Sequence, residues 1–483
     1  MSDILDLLIV GAGPAGLSAA RIASSQGLSV AVLDEQPRFG GQVFRQAPEE
    51  FAAADPDSMH TYPFSHSLFE WARGTTAVQW HFSTLVWGIF DDPQDEHVRQ
   101  IGIAGPQGAS VLKARRVLIA TGAYDLPVAF PGWTLPGVLS AGGVQTMIKS
   151  QSLMPGQRFL LVGGHPLLLL VAELLLDAGA QIAEVAIARS LPSMKEMLRA
   201  TRALPGQSRL VKQLLAILLK LRRHGVPLRF ATGIERAHGD ESVQAATLCK
   251  VDQNWYAIAG TQRRVEVDTV VVGYGLLAST ELARQAGCAV RWDSAAGGWL
   301  VQHDDRLHST QSGVLVAGEQ TGIAGAFNAH LQGELAAWQC VLELQQPAAV
   351  TEIEKTIADL QLRLGRNRRF TDTVITLSAP KLEALAQAIT PDTVVCRCEE
   401  VTAQEVNQFL DAHPYVADIN SIKLACRTGM GMCQGRYCQH TVAQMLASRL
   451  GRGIDQVGIY KAQAPVKPVP VAALAGMEQG ESS

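Results

Sequence analysis

Residues 4 to 10, ILDLLIV, are almost wholly apolar; the chain then breaks at Gly11, Gly13 and Gly16 before a small-residue stretch, Leu17 to Ser25, and a second apolar run, Ser29 to Leu33. A short apolar run bounded by glycines predicts a strand buried on both faces, and the small-residue stretch predicts a helix lying close upon it. Val117 to Ala120 predicts another buried strand, and Arg158 to Val162 opens a second strand-turn-helix unit that continues through Ala180. Strand character returns from Val265 to Tyr274 and from Gly313 to Ala317, before a helical pattern from about Ala326 to Leu344. Strands that return after an intervening unit predict a discontinuous first domain with a second nested inside it, an α/β architecture.

After Pro347 the pattern changes to a charged helical stretch, an Arg-rich loop from Arg363 to Arg369 and, from Thr393, a cysteine-dense region. The run APVKPVPVAALAGMEQGESS beyond Tyr460 has no periodicity and predicts an extended or disordered tail. The expected organisation is a first domain over 1–140 and 265–346, an inserted domain over 141–264, a helical linker over 347–392, a small helical domain over 393–462 and a tail over 463–483.

The length of 483 residues allows about three domains. A net charge of -4 supplies no field for a polyanion, and no Lys/Arg cluster sits among aromatics, so nucleic acid is not an expected partner. The opening MSDILDLLIVGAG lacks the basic start and cleavage site of a signal peptide, which predicts a cytoplasmic protein, with a peripheral place on the inner face of the membrane left open. The most apolar stretch, Leu160 to Leu176, is interrupted by Gly163, Gly164, His165, Pro166 and Glu173, so no transmembrane span is expected. Leu210 to Leu221, surrounded by Arg209, Lys212, Lys220, Arg222 and Arg223, is apolar on more than one face. An ordinary core helix is the first reading there, ahead of a helix between subunits or one on a membrane surface.

The glycines bring in the first chemistry. Gly11-Ala12-Gly13-Pro14-Ala15-Gly16 is a GxGxxG between a strand and a helix, the context in which the motif binds a dinucleotide. Gly11 permits the turn, Gly13 lets the backbone approach a pyrophosphate, Gly16 allows close helix packing, and the helix N-terminus faces the anion. Asp34, at the end of the second strand, is placed to accept from a ribose. Three further stretches favour FAD over NAD, because they are similar to two-dinucleotide-domain flavoproteins of disulfide-reductase type: Gly40-Gly41-Gln42, Ile119 to Ala123, and Thr310 to Glu319. In the last, Glu319 stands where those proteins usually carry an aspartate for the ribityl chain. The expected FAD contacts are residues Gly11 to Gly16, Asp34, Glu35, Gln36, Gly41, Gln42, Val86, Ala120, Thr121, Gly122, Gly318 and Glu319, in the first of two nested Rossmann-like domains.

The inserted domain carries a degraded motif, Gly163-Gly164-His165-Pro166-Leu167-Leu168, in which His165 fills the approach of a pyrophosphate and Leu168 pushes the helix outward. Weak or absent NAD(P)H binding is expected, with a scaffold or another mononucleotide as the alternative. No cysteine lies near Gly41 and no CxxC pair lies in the inserted domain, so no thiol relay is available. His60, His66, His81, His165 and His330 are scattered and read as packed or solvated residues, and no catalytic residue is assigned.

Of eight cysteines, Cys249, Cys288 and Cys340 stand alone and read as core residues, while Cys396, Cys398, Cys426, Cys433 and Cys438 are crowded together. In a reducing compartment such crowding predicts metal rather than disulfides. Cys396 and Cys398 precede a capping box at Thr402 to Glu405; Cys433 and Cys438 follow Gly429 and Gly431 and bracket Gly435. Four thiolates satisfy a 2Fe-2S cluster, glycine N–H groups can bond its sulfurs, and Arg397, Arg427 and Arg436 add positive charge. Zinc is the competing assignment. Cys426 is left as a packed thiol.

These residues, with Phe130-Pro131-Gly132-Trp133-Thr134-Leu135-Pro136-Gly137-Val138, Val272 to Leu276 and MGMCQGRYC, resemble the FAD-containing larger subunits of heteromeric bacterial amine and amino-acid dehydrogenases over nearly the whole chain. That family includes the corresponding subunits of opine (octopine or nopaline) oxidases and of hydrogen cyanide synthases, and its C-terminal region is similar to bacterioferritin-associated-ferredoxin-like domains. The resemblance implies Cys396, Cys398, Cys433 and Cys438 as ligands of 2Fe-2S, and, for a partner, a D-amino-acid-oxidase-like FAD subunit. It also implies an opine, imino-acid or amino-acid substrate and a quinone or dye-like electron acceptor. FMN at a subunit interface is compatible with it, though no motif carries one. The rival functions are a stand-alone NAD(P)H-dependent reductase and a non-catalytic electron relay or scaffold.

Overall fold

The computed structural model describes residues 4–47, 62–194, 196, 208–345 and 350–475. His60 therefore lies outside the described residues. The chain divides into two compact units, the first formed by 1–124, 277–371 and 461–483 and the second by 125–276 and 372–460.

In the first unit, and among the described residues, a seven-stranded sheet places Val78–His81, Val30–Leu33, Leu5–Val10 and Gly108–Ile119 side by side, followed by Arg99–Gly105 and Leu85–Asp91. The C-terminal half of Gly108–Ile119 runs parallel to Leu5–Val10 and also to Val314–Val316, whereas its N-terminal half pairs antiparallel with Arg99–Gly105. Leu5–Val10 is buried at every position but Asp6, as its apolar run predicts for a parallel strand covered on both faces. The helix Pro14–Ser25 lies against Ala326–Gln345 through Ala15, Ala19, Ala20 and Ala23. A Cβ on Gly333 would lie 2.0 Å from Ala15 O, so the two backbones meet where neither can carry a larger residue.

The second unit, described by itself, holds a five-stranded parallel sheet in the order Leu228–Phe230, Gln181–Ile187, Arg158–Gly163, Thr269–Gly273, Val138–Ser140. The helices Leu167–Asp177 and Ser208–Arg223 cover it, with Phe159, Leu168, Val171, Ile217 and Leu221 in one core cluster. The cysteine region belongs to this unit and is built from the short strands Val394–Cys396 and Val401–Thr402 and the helices Ala403–Ala412, Ile419–Cys426 and Gln439–Leu450. The capping box forms: Glu405 N donates to Thr402 Oγ1 at 3.3 Å and Thr402 N to Glu405 Oε2 at 2.7 Å. Trp133, from the Pro-Gly loop of the inserted segment, donates its indole N–H to Val394 O at 2.6 Å and stacks on Tyr437.

Three sequence expectations change. The Arg363 to Arg369 run is helical, inside the single helix Val350–Ser378, whose buried Ile353, Ile357 and Leu360 carry the i, i+4, i+7 spacing that holds it to the core. The two compact units divide at 124/125 and 276/277, where the sequence reading places domain limits at 140 and 265. Residues 461–475 are also docked rather than free: Val466 is buried, its N–H donates to Trp87 O at 3.0 Å, and Lys467 pairs with Glu35.

Candidate functional site

The first site is built around the glycine turn of the first unit. A Cβ on Gly11 would lie 2.4 Å from Ala120 O, and one on Gly16 would lie 1.8 Å from Gly11 O, so both positions are closed to larger residues by backbone. Gly13 differs: a Cβ there would meet only Gly41 Cα, at 3.8 Å, leaving its outer face open. Gly13 also caps the helix Pro14–Ser25, which aims a helix N-terminus at that open space. Gly41 adopts φ +60° and approaches so closely that its Cβ would lie 2.8 Å from Gly13 Cα, so the GG turn forms one wall of the cradle.

Asp34 braces the turn from beneath. Its Oδ2 accepts from Ala12 N at 2.7 Å and its Oδ1 from Gln36 N at 2.8 Å, while burial raises its pKa against those bonds. Arg45, which motif reading misses, reaches the same place: Nη1 donates to Gln36 Oε1 at 3.2 Å, and Nε is buried with no partner among the described residues. A buried, orphaned guanidinium N–H beside Asp34 and Gln36 suits a phosphorylated ligand. Glu35 points instead to Lys467, and the Val86 side chain is buried in a core cluster.

At the other end Thr121 Oγ1 donates to Ser279 O at 2.8 Å, Gly122 faces open space with φ +72°, and Gln42 Nε2 donates to Ala123 O at 2.7 Å. Gly318 N donates to Gln332 Oε1 at 2.7 Å. Both Glu319 oxygens accept from the loop that follows, Ala324 N at 2.7 Å and Gly325 N at 3.0 Å, and burial pushes its pKa up to about 7. Gln320, next to it, bonds Thr121 Oγ1 through Nε2 but leaves Oε1 buried without a partner among the described residues, a second orphan that motif reading misses. Gly11 to Gly16, Asp34, Gln36, Gly41, Gln42, Ala120 to Gly122, Gly318 and Glu319 thus all belong to one unit, and its open glycine faces and two orphaned polar atoms fit a dinucleotide.

The corresponding turn of the inserted segment is closed. Gly164 N and His165 N both donate to Gly273 O at 3.1 Å, and a Cβ on Gly164 would lie 2.6 Å from the Trp255 ring. Trp255 is buried over the turn, and burial lowers the His165 pKa to about 4, so His165 is a neutral packed residue. His330 is likewise packed, with Nδ1 2.7 Å from Ser18 Oγ and its ring stacked on Phe64.

The second site gathers the cysteines. Cys396 and Cys438 are buried and hydrogen-bonded to each other, while Cys398 and Cys433, nearer the surface, form a second hydrogen-bonded pair. The bond with Cys438, helped by the N–H groups of Gly429, Glu399 and Cys398, brings the Cys396 pKa down to about 6. A Cβ on Gly431 would lie 2.4 Å from Cys398 Cβ, and those on Gly429 and Gly435 would lie 2.6 and 2.7 Å from the Tyr460 ring, so the glycines fit the chain around the thiols. Tyr460 is buried beneath them, its hydroxyl 2.8 Å from Thr428 Oγ1 and donating to Cys438. Arg427 pairs with Glu399 and Arg436 bonds Cys433 O, whereas Cys426 stays apart with a pKa raised by burial. Among the described residues no group of three or more His, Cys, Asp or Glu side chains is arranged to hold a metal ion. The two thiol pairs bring four soft donors and their N–H partners together in one place.

The sheets and the glycine cradle are those of a dinucleotide-binding α/β protein, and the family makes it a flavin-dependent oxidoreductase. Residues 5–333 match the pyridine nucleotide-disulphide oxidoreductase family and residues 390–477 the sarcosine oxidase A3 domain. The chain is 33% identical to an opine oxidase subunit of Agrobacterium tumefaciens (strain Ach5), over 98% of this chain and 92% of that protein. It is 32% identical to hydrogen cyanide synthase subunit HcnB of Pseudomonas aeruginosa, over 96% of this chain and 97% of the relative. Among solved structures, L-proline dehydrogenase from P. horikoshii shares the fold with a TM-score of 0.67 and 20% identity, covering 98% of this chain and 79% of that one. The chain belongs to the family of these opine oxidase subunits. No helix among the described residues is long and apolar enough to cross a membrane.

Proposed function

We propose that this chain is the FAD- and 2Fe-2S-carrying subunit of a heteromeric dehydrogenase that oxidises the C–N bond of an opine, imino acid or amino acid. Electrons would leave to a quinone or dye-like acceptor. One observation carries the reading: a chain of this family combines an open glycine cradle, with the orphaned Nε–H of Arg45 in the same unit, and a four-thiol nest in a separate unit. FAD would be held by Gly11 to Gly16, Gly41 and Arg45 at the pyrophosphate, by Asp34 and Gln36 toward the ribose, and by Thr121, Gly122, Gly318, Glu319 and Gln320 toward the ring. Cys396, Cys398, Cys433 and Cys438 would hold the cluster. Bound there, the two groups supply the change from two-electron to one-electron transfer.

The rest falls to the chain itself. Gly13 and the helix N-terminus receive the pyrophosphate charge, and Asp34 fixes the turn that presents them. The N–H groups of Gly429, Glu399 and Cys398 stabilise thiolate charge at Cys396, and Tyr460 excludes water beneath it. No residue here is assigned as a base toward substrate, which fits oxidation by a D-amino-acid-oxidase-like partner subunit. Trp255 and the occupied N–H groups of Gly164 and His165 argue against NAD(P)H as donor.

Anaerobic mixing tests the reading. With the partner subunit present, one of octopine, nopaline, proline or glycine should bleach the flavin and reduce a dye, while NADH leaves the isolated chain oxidised. Bleaching by NADH alone would favour the stand-alone reductase, and no bleaching by any of these amines would leave only the relay.

Tyr460→Phe removes the hydroxyl beside Cys438. Hydrogen bonds to ligand sulfur favour the reduced, more negative state. The cluster potential should fall by roughly 60 mV, tenfold in a one-electron equilibrium. An EPR-monitored redox titration reads it, and an unmoved potential would remove Tyr460 from this role.

A further inference from the structure

The helix Ser208–Arg223 buries Ile217 and Leu221 in the core of the second unit, yet its apolar arc is wider than the surface it covers. Leu210, Leu214, Leu215 and Leu219 remain exposed at 36%, 44%, 60% and 49%. At 3.6 residues per turn Lys212 and Arg223 border the Leu215–Leu219 edge, and Arg222 closes the C-terminal end. No Asp or Glu occurs between 208 and 223. On the neighbouring helix Glu173 and Asp177 are engaged with Lys220, and Glu196, beside Met194 in the chain, is engaged with Arg189. Leu191 and Met194, a little earlier in the chain, are 69% and 81% exposed.

We propose that this helix docks the protein in-plane on an anionic phospholipid surface. Charge and composition favour lipid over protein as the occupant. Protein interfaces concentrate aromatic residues and deplete lysine, and leucine is uncommon among their energetic anchors. A leucine face bordered by Lys and Arg, without acids, is the pattern of an interfacial helix whose apolar side enters the acyl boundary while its cations meet headgroup phosphates. The inference is independent of the cofactor assignment, and it would place the protein where a lipid-soluble acceptor resides.

The test is co-sedimentation of the full-length, flavin-loaded protein with vesicles of phosphatidylcholine alone or containing about 30 mol% phosphatidylglycerol. Wild type should bind the anionic vesicles on the order of tenfold more tightly than the neutral ones, with the difference shrinking at high salt. Leu214→Glu/Leu219→Glu should abolish binding, and Lys212→Glu/Arg223→Glu should remove the anionic preference, both with unchanged flavin content and thermal midpoint. Equal binding to both vesicle types, or variants that bind like wild type, would overturn the proposal. So would leucine variants that instead dissociate a dimer or a complex with the partner subunit on size exclusion.

Discussion

Gly13→Val should yield a folded but colourless protein. Gly13 has extended backbone angles, φ -80° and ψ -171°, and a Cβ there meets nothing closer than Gly41 Cα at 3.8 Å, so the polypeptide itself tolerates a side chain. The added methyls would occupy the open face through which the pyrophosphate must approach N–H groups at the helix N-terminus. FAD affinity should fall by roughly 100-fold, about 3 kcal/mol, read as flavin per chain after gel filtration with far-UV circular dichroism unchanged. Gly16→Ala is the contrasting variant. Its Cβ would lie 1.8 Å from Gly11 O, a clash with backbone that should destabilise the fold itself by about 3 kcal/mol or more. A yellow Gly13→Val protein would show that the cradle holds no dinucleotide.

Cys433→Ser should separate the two sites. Cys433 is only partly buried, so the substitution leaves no cavity, but it removes one of the four proposed thiolate ligands. An iron left with three thiolates is labile; iron content should fall from about two per chain toward zero, while FAD remains because its site lies in the other unit. Dye reduction by substrate should fall with the iron if the cluster is on the electron path. Cys426→Ser is the control, since Cys426 lies apart from the thiol pairs, and it should keep both iron and activity. Iron content that survives Cys433→Ser would break the ligand assignment.

What is legible in the sequence is whatever sterics force on it. Gly11 and Gly16 announce their turn because backbone oxygens stand where a side chain would be, and apolar runs such as LLIV announce buried parallel strands. The capping box at Thr402 is local, and its spacing alone reveals it. Arg45 and Gln320 are not legible, because an orphaned buried atom exists only once tertiary structure has closed around it. Trp255 escapes for the same reason: it closes the second glycine turn from a distant part of the chain, whereas the sequence directs attention to His165. The Arg363 to Arg369 run looks like a loop because its charges and Gly365 dilute the helical period, yet the apolar residues before it carry the helix through. The tail lacks periodicity because its described residues dock through Val466 and the Lys467–Glu35 pair rather than through a repeated face.

Chemical and spectroscopic analysis of the purified chain tests the central claim most directly: flavin, iron and acid-labile sulfide are quantified, and an EPR spectrum is taken after dithionite reduction. One FAD, two irons and two sulfides per chain are expected, with the low-temperature signal of a reduced binuclear cluster. A colourless protein, or one whose four cysteines hold zinc and no sulfide, would contradict it.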